Sequence, residues 1–139
     1  MKKILVMLLT AVVLLNLHIM KATANPIITK SCEGTYTYSY GKDKGCGTLN
    51  IFSQDGKFMC SIDANIGAPS YNMAIVKNKP CIIENNNMYC RPDKSDRKFE
   101  IIFHDNYADV KYVSGNWRGY FGWNATIEGR YWKTVKQEK

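Results

Sequence analysis

Apolar and polar residues alternate along most of the chain. From residue 35 to 40 every second position is a tyrosine, Tyr36, Tyr38 and Tyr40, with Thr37 and Ser39 between them. A period of two places such residues on one face of a strand. Comparable short runs occupy 48–53, 57–63, 71–77, 82–85, 88–90, 99–103, 108–114 and 124–133. Turn chemistry separates them: a Gly- and Lys-rich stretch at 41–47, Gln54-Asp55-Gly56, Gly67-Ala68-Pro69, Asn85 to Asn87, and His104-Asp105-Asn106. No stretch past the amino-terminal segment sustains a helical period with caps. About nine short strands at near-regular spacing predict an all-β domain, a small antiparallel β-barrel of eight or nine strands, with a β-sandwich as the alternative.

Two of the turns predict a register. Asp55-Gly56 is a strong two-residue hairpin signal. A two-residue turn at Asn85 and Asn86 sets Glu84 against Asn87, Ile83 against Met88, Ile82 against Tyr89 and Cys81 against Cys90. Counting outward, the cysteines fall on a non-hydrogen-bonded pair, whose Cα atoms approach to about 4.5 Å. That is within reach of a disulfide.

The last run alternates too. Ala125, Ile127, Gly129 and Tyr131 share one face, expected to point inward; Thr126, Glu128, Arg130 and Trp132 share the other. Gly34-Thr35-Tyr36 and Gly129-Arg130-Tyr131 have the same Gly-x-Tyr form, so the first and last strands are expected to be neighbours with matched bends. Asn124 is expected to open the closing strand. Residues 115–122, with three glycines, are a poor strand interior and read as a loop at one barrel mouth.

The amino terminus limits where the protein works. Lys2 and Lys3 precede an apolar run from Ile4 to Leu17, and Ala22-Thr23-Ala24 supplies a small-residue cleavage motif. This order is that of a secretory signal peptide, residues 1–24, followed by a single domain of residues 25–139. A periplasmic or secreted product is expected, without an integral membrane segment after cleavage. The signal holds three lysines and no acid, which leaves 16 Lys and Arg against 12 Asp and Glu in the remainder, a net charge of +4. These cations are scattered, so nucleic acid is not an expected partner. All five cysteines, at 32, 46, 60, 81 and 90, lie beyond the signal. Their spacing lacks the paired short intervals of zinc sites, and an oxidising compartment favours bridges. A second bridge among Cys32, Cys46 and Cys60 is expected, with one thiol left over.

Candidate chemistry is sparse. His104 is the one histidine outside the signal, and its place before Asp105-Asn106 suits a turn. Asp105 and Asp109 lack the spacing of a calcium loop. No catalytic residue, metal or cofactor is expected, and the protein reads as a binder. Asn124-Ala125-Thr126 also matches a glycosylation sequon.

The ending, a glycine-rich loop and then Gly122-x-Asn124-Ala125-x-x-x-Gly129-x-Tyr131-x-Lys133, resembles the last strand of small envelope proteins grouped with bacterial lysozyme inhibitors. The resemblance implies an exported, disulfide-bearing barrel. Relatives often carry cysteines in the loop, where this chain has Trp117 and Phe121. In such inhibitors a small-residue loop with a nearby tyrosine plugs a lysozyme cleft, a part that the binding loop 114–122, with Ser114, Gly115 and Tyr120, would play here. Trp117, Arg118 and Tyr120 are also the residue types favoured at interface hot spots. As pure contact residues they would stand in solvent and matter little to stability. The expected partner is a hydrolase such as lysozyme, although a basic lysozyme would meet a chain of like net charge, which slows association. The alternative is a calycin-like carrier or structural envelope protein holding a small apolar ligand among its tyrosines.

Cleavage after Ala24 is directly measurable. Mass spectrometry of the exported protein should find a chain beginning at Asn25, and an intact Met1 in the soluble product would refute it.

Overall fold

A computed structural model describes residues 32–134; the expected signal peptide and its cleavage site lie outside them. The described chain forms eight strands: β1 (Gly34–Ser39), β2 (Lys44–Gln54), β3 (Lys57–Gly67), β4 (Met73–Glu84), β5 (Asn87–Cys90), β6 (Lys98–Phe103), β7 (Tyr107–Ser114) and β8 (Gly129–Lys133). Each pairs antiparallel with the next, and β8 returns to β1, closing a barrel in sequence order. Closure gives every strand two neighbours and leaves no edge open to pairing with another chain.

The count is eight because the runs at 71–77 and 82–85 belong to one strand. β3 pairs Ile62 with Val76 but Cys60 with Lys79, so β4 holds one extra residue opposite Ser61. Asn78 takes a left-handed φ of 47° there, and its amide donates to the Ser61 hydroxyl at 2.9 Å. This bulge switches the inward set. Ala74 and Val76 point in before it, and Cys81 points in after it.

Both predicted hairpins are present. Asp55 and Gly56 have φ of 51° and 73°, Asn85 and Asn86 of 50° and 64°. Paired positive φ values are what a two-residue turn needs to match the twist of its strands. Cys81 stands opposite Cys90, and the two are bridged with Cα atoms 4.5 Å apart.

The expected second bridge is absent, since Cys32, Cys46 and Cys60 are free thiols. The register explains why Cys46 cannot meet Cys60. Cys60 pairs across β2 with Ile51, five residues from Cys46, about 16 Å of strand, against a Cα limit of about 7 Å for a bridge. Cys60 points inward and lies instead beside the existing bridge, the sulfurs of Cys60, Cys81 and Cys90 being within 4.8 Å of one another. Burial pushes its thiol up to about 12.

The interior is filled. Tyr36, Leu49, Ile51, Cys60, Ile62, Met88, Phe99, Ile101, Val110, Ile127 and Tyr131 are all at most 2% exposed, which decides against a chamber among them. A ligand-sized space would leave water-accessible surface on the side chains lining it. The three tyrosines of the first run diverge: Tyr36 is core, Tyr38 half-buried against Tyr131, and Tyr40 exposed beyond the strand.

The two Gly-x-Tyr units form one device used twice. The Tyr36 hydroxyl donates to the Cys32 carbonyl and the Tyr131 hydroxyl to the Ile127 carbonyl, each at 2.8 Å and each four residues back. The intervening Gly34 and Gly129 take φ of 139° and 153°, which folds the chain back toward the ring. Burial raises both phenols, to about 12 for Tyr36, and so keeps them protonated donors.

The closing strand is shorter than the expected 124–133. Asn124 sits in a turn at φ 59° rather than opening the strand. Residues 125–128 reach β7 through side chains rather than a ladder. Glu128 accepts the Tyr112 backbone N–H at 2.9 Å, and the Tyr112 hydroxyl bonds Thr126 at 2.8 Å and accepts the Ile127 N–H at 3.3 Å. Ile127 is nevertheless fully buried, so the predicted inward face holds without the predicted strand.

Tyr131→Phe keeps the ring and leaves the buried Ile127 carbonyl without its donor. Urea unfolding should show a loss of about 1–2 kcal/mol; an unchanged midpoint would remove the hydroxyl from the account of barrel closure.

Candidate functional site

Antiparallel order sorts the connections by length. The tight turns at 55–56, 85–86 and 104–106 lie at one end of the barrel. The connections at 40–43, 68–72, 91–97 and 115–128 lie at the other. The longest of these, 115–128, crosses that mouth.

Its inner side is a plug of rings. Trp117 stacks on Tyr112 with centroids 4.2 Å apart, meets Phe99 edge-on at 6.3 Å, and donates its indole N–H to the Ser114 carbonyl at 2.8 Å. Phe121 stacks on Trp117 at 5.9 Å. Trp117, Phe121 and Ala125 all pack on the buried core.

The loop is also tied to the adjacent 91–97 connection and, across the mouth, to the β3–β4 connection and the start of β4. The Ser114 hydroxyl donates to the Asp96 carbonyl at 2.6 Å, and Arg97 Nε to the Asn116 carbonyl at 2.8 Å. Arg97 lies over the Tyr120 ring at 4.4 Å while pairing with Asp93 at 3.1 Å. Across the mouth, Gly122 N–H donates to the Met73 carbonyl at 3.1 Å and Asn72 Nδ2 to the Trp123 carbonyl at 2.9 Å. Gly115 is required where it stands: its φ is 85°, and a Cβ would fall 2.6 Å from Arg97 Cα.

Electrostatics reinforce one tie. Hydrogen bonds from the Ser95 hydroxyl and backbone N–H, then the Arg97 charge, hold the half-buried Asp93 carboxyl below the usual range. Burial, followed by the Asp93 charge, raises the Tyr120 phenol.

The sequence-predicted residues are therefore brought to one mouth but divided in role. Ser114 ends β7 with its hydroxyl engaged. Gly115 permits the close approach to Arg97. Trp117 and Tyr120 are half-buried anchors rather than rings standing in solvent. Arg118 is exposed. The ring most displayed is Trp123, 79% exposed, which the motif reading passed over. Its position between Gly122 and Asn124, two turn-forming residues, was the available signal. Tyr71 and Met73, also exposed, flank the Asn72 that holds the Trp123 carbonyl. A shallow depression of about 510 Å³ opens here between Trp117, Arg118, Phe121 and Trp123.

His104, away from this mouth, keeps its turn role. Its N–H donates to the Tyr107 carbonyl at 2.9 Å, and its ring stacks on Tyr107 at 4.1 Å. Asp109 lies 3.4 Å from the imidazole but is gripped by Arg130 Nε and Nη2 at 2.9 and 3.1 Å, which lowers its carboxyl. The group reads as a cross-strand ion pair bordered by rings.

No protein-family model, curated protein or solved structure matches the chain.

The division of roles separates two substitutions. Trp117→Ala should cost about 2–3 kcal/mol, below the range for a fully buried tryptophan, and Trp123→Ala less than about 0.5 kcal/mol, as for exposed sites generally. Equal midpoints in urea would mean that Trp117 is not an anchor.

Proposed function

We propose that the protein is an exported, non-enzymatic binder that engages a hydrolase of the lysozyme type through residues 115–128. The observation that carries this reading is a fixed loop with two faces, one packed on the core and one displaying Arg118 and Trp123. A loop already ordered gives up little conformational freedom on binding, so more of its contact energy appears as affinity. Tryptophan and arginine are the residues that most often dominate such contacts. Ser114, Gly115 and Tyr120 support the display from beneath, and Trp117 supports it from within the mouth.

The filled interior favours this reading over a carrier of small apolar ligands, because the tyrosines that could line a cavity are packed against other side chains. The resemblance of the carboxy-terminal strand to lysozyme inhibitors supplies the target class. Export supplies the encounter.

Mature protein titrated against a panel of lysozymes should inhibit at least one. Trp123→Ala combined with Arg118→Ala should weaken that inhibition about tenfold or more, as loss of hot-spot residues does, with the thermal midpoint unchanged. Inhibition of none, or inhibition untouched by the double variant, would reject the reading.

A further inference from the structure

The outer wall of β4, β5 and β6 carries a second concave surface, away from the Trp123 display. A groove of about 470 Å³ runs from Lys79 to Lys98. Its floor is apolar, made by Pro80, Ile82, Tyr89 and Pro92. Ile82 and Tyr89 are cross-strand partners, and Ile82 is left 57% exposed.

The charges around that floor do not cancel. Both acids in the groove are already matched. Glu84 lies 3.7 Å from Lys98, whose ammonium also sits over the Tyr89 ring at 4.1 Å. Asp93 is taken by Arg97 at 3.1 Å and by Ser95. Lys79 and Lys94 form no ion pair among the described residues. Among the described residues the Arg91 guanidinium donates only to the Ser95 carbonyl, at 3.2 Å. Three cations thus stand uncompensated around an apolar strip.

We propose that this groove is a docking site for an extended acidic polypeptide segment, with an apolar side chain on the Ile82–Tyr89 floor and carboxylates at Lys79, Arg91 and Lys94. Charge complementarity argues for the anionic partner. The lining argues for an extended one: cations flank the apolar floor, and successive same-face residues of an extended peptide, about 7 Å apart, can alternate between the two. Because the barrel is closed, the segment is read by side chains and not by strand addition. The site does not depend on the loop reading above, and either can fail alone.

A fluorescein-labelled Glu-Glu-Leu-Glu-Glu peptide tests it by anisotropy. Saturable binding at low ionic strength is expected, weakening as salt screens the charges. Lys79→Glu with Lys94→Glu should reduce affinity about tenfold or more through charge reversal. Ile82→Ser should weaken binding without moving the thermal midpoint. Lys42→Glu, exposed on the β1–β2 connection across the barrel, should change nothing. No saturable binding, or binding equal in the double variant, overturns the proposal. Capture on phosphatidylglycerol vesicles with no peptide binding also overturns it, and would assign the cations to a lipid surface.

Discussion

The seam between β1 and β8 is the constraint on which the barrel rests. Only two registered pairs span it, Tyr36 with Lys133 and Thr37 with Trp132, extended by the Thr134 N–H donating to the Thr35 carbonyl at 2.8 Å. So short a ladder is a weak closure by hydrogen bonds alone. The twin tyrosine bonds brace it, since each turns the chain just before a seam strand and seats a large ring in the core. Lose the seam and β1 and β8 become two open edges, and the filled interior loses its wall.

Closure also decides where the protein can meet other molecules. A barrel joined in sequence order alternates its connections between two ends, and here chain length is distributed unequally. Three tight turns leave one end blunt, apart from the chain termini. The longer connections crowd the other, where they hydrogen-bond to one another as well as to strands. The Trp117 plug is what lets the longest of them lie across the mouth as part of the core instead of trailing in water.

Much of this was legible from residue order. Alternation reports a face of a strand, and Asp55-Gly56 and Asn85-Asn86 report a turn of two residues, so register and the Cys81–Cys90 bridge followed from counting. The switch at Asn78 did not follow. A bulge is one residue in an unusual conformation, and Asn78-Lys79-Pro80 carries the same letters as a turn between strands. The separation of Cys46 from Cys60 was legible, since counting out from Asp55-Gly56 sets Cys60 against Ile51, five residues from Cys46; the place of Cys32 ahead of β1 lies outside any such count. In the glycine-rich loop, Trp117 and Trp123 are equivalent as composition. Tyr112, five residues before Trp117 on β7, offers the face it stacks on, and that is a tertiary fact.

The third sulfur beside the bridge makes the closed barrel a chemical guard on its own covalent pattern. Cys60, Cys81 and Cys90 offer three possible pairings, and only Cys81–Cys90 joins residues directly opposite each other in a ladder. Exchange requires a thiolate. Within the barrel Cys60 is held as a thiol by its dry surroundings, so a competitor in contact with the bridge stays silent. Opening the wall would hydrate that sulfur, return it toward the ordinary range for a free cysteine of about 8.5, and start scrambling. Retention of the Cys81–Cys90 pair therefore serves as a chemical record of how seldom a molecule has opened.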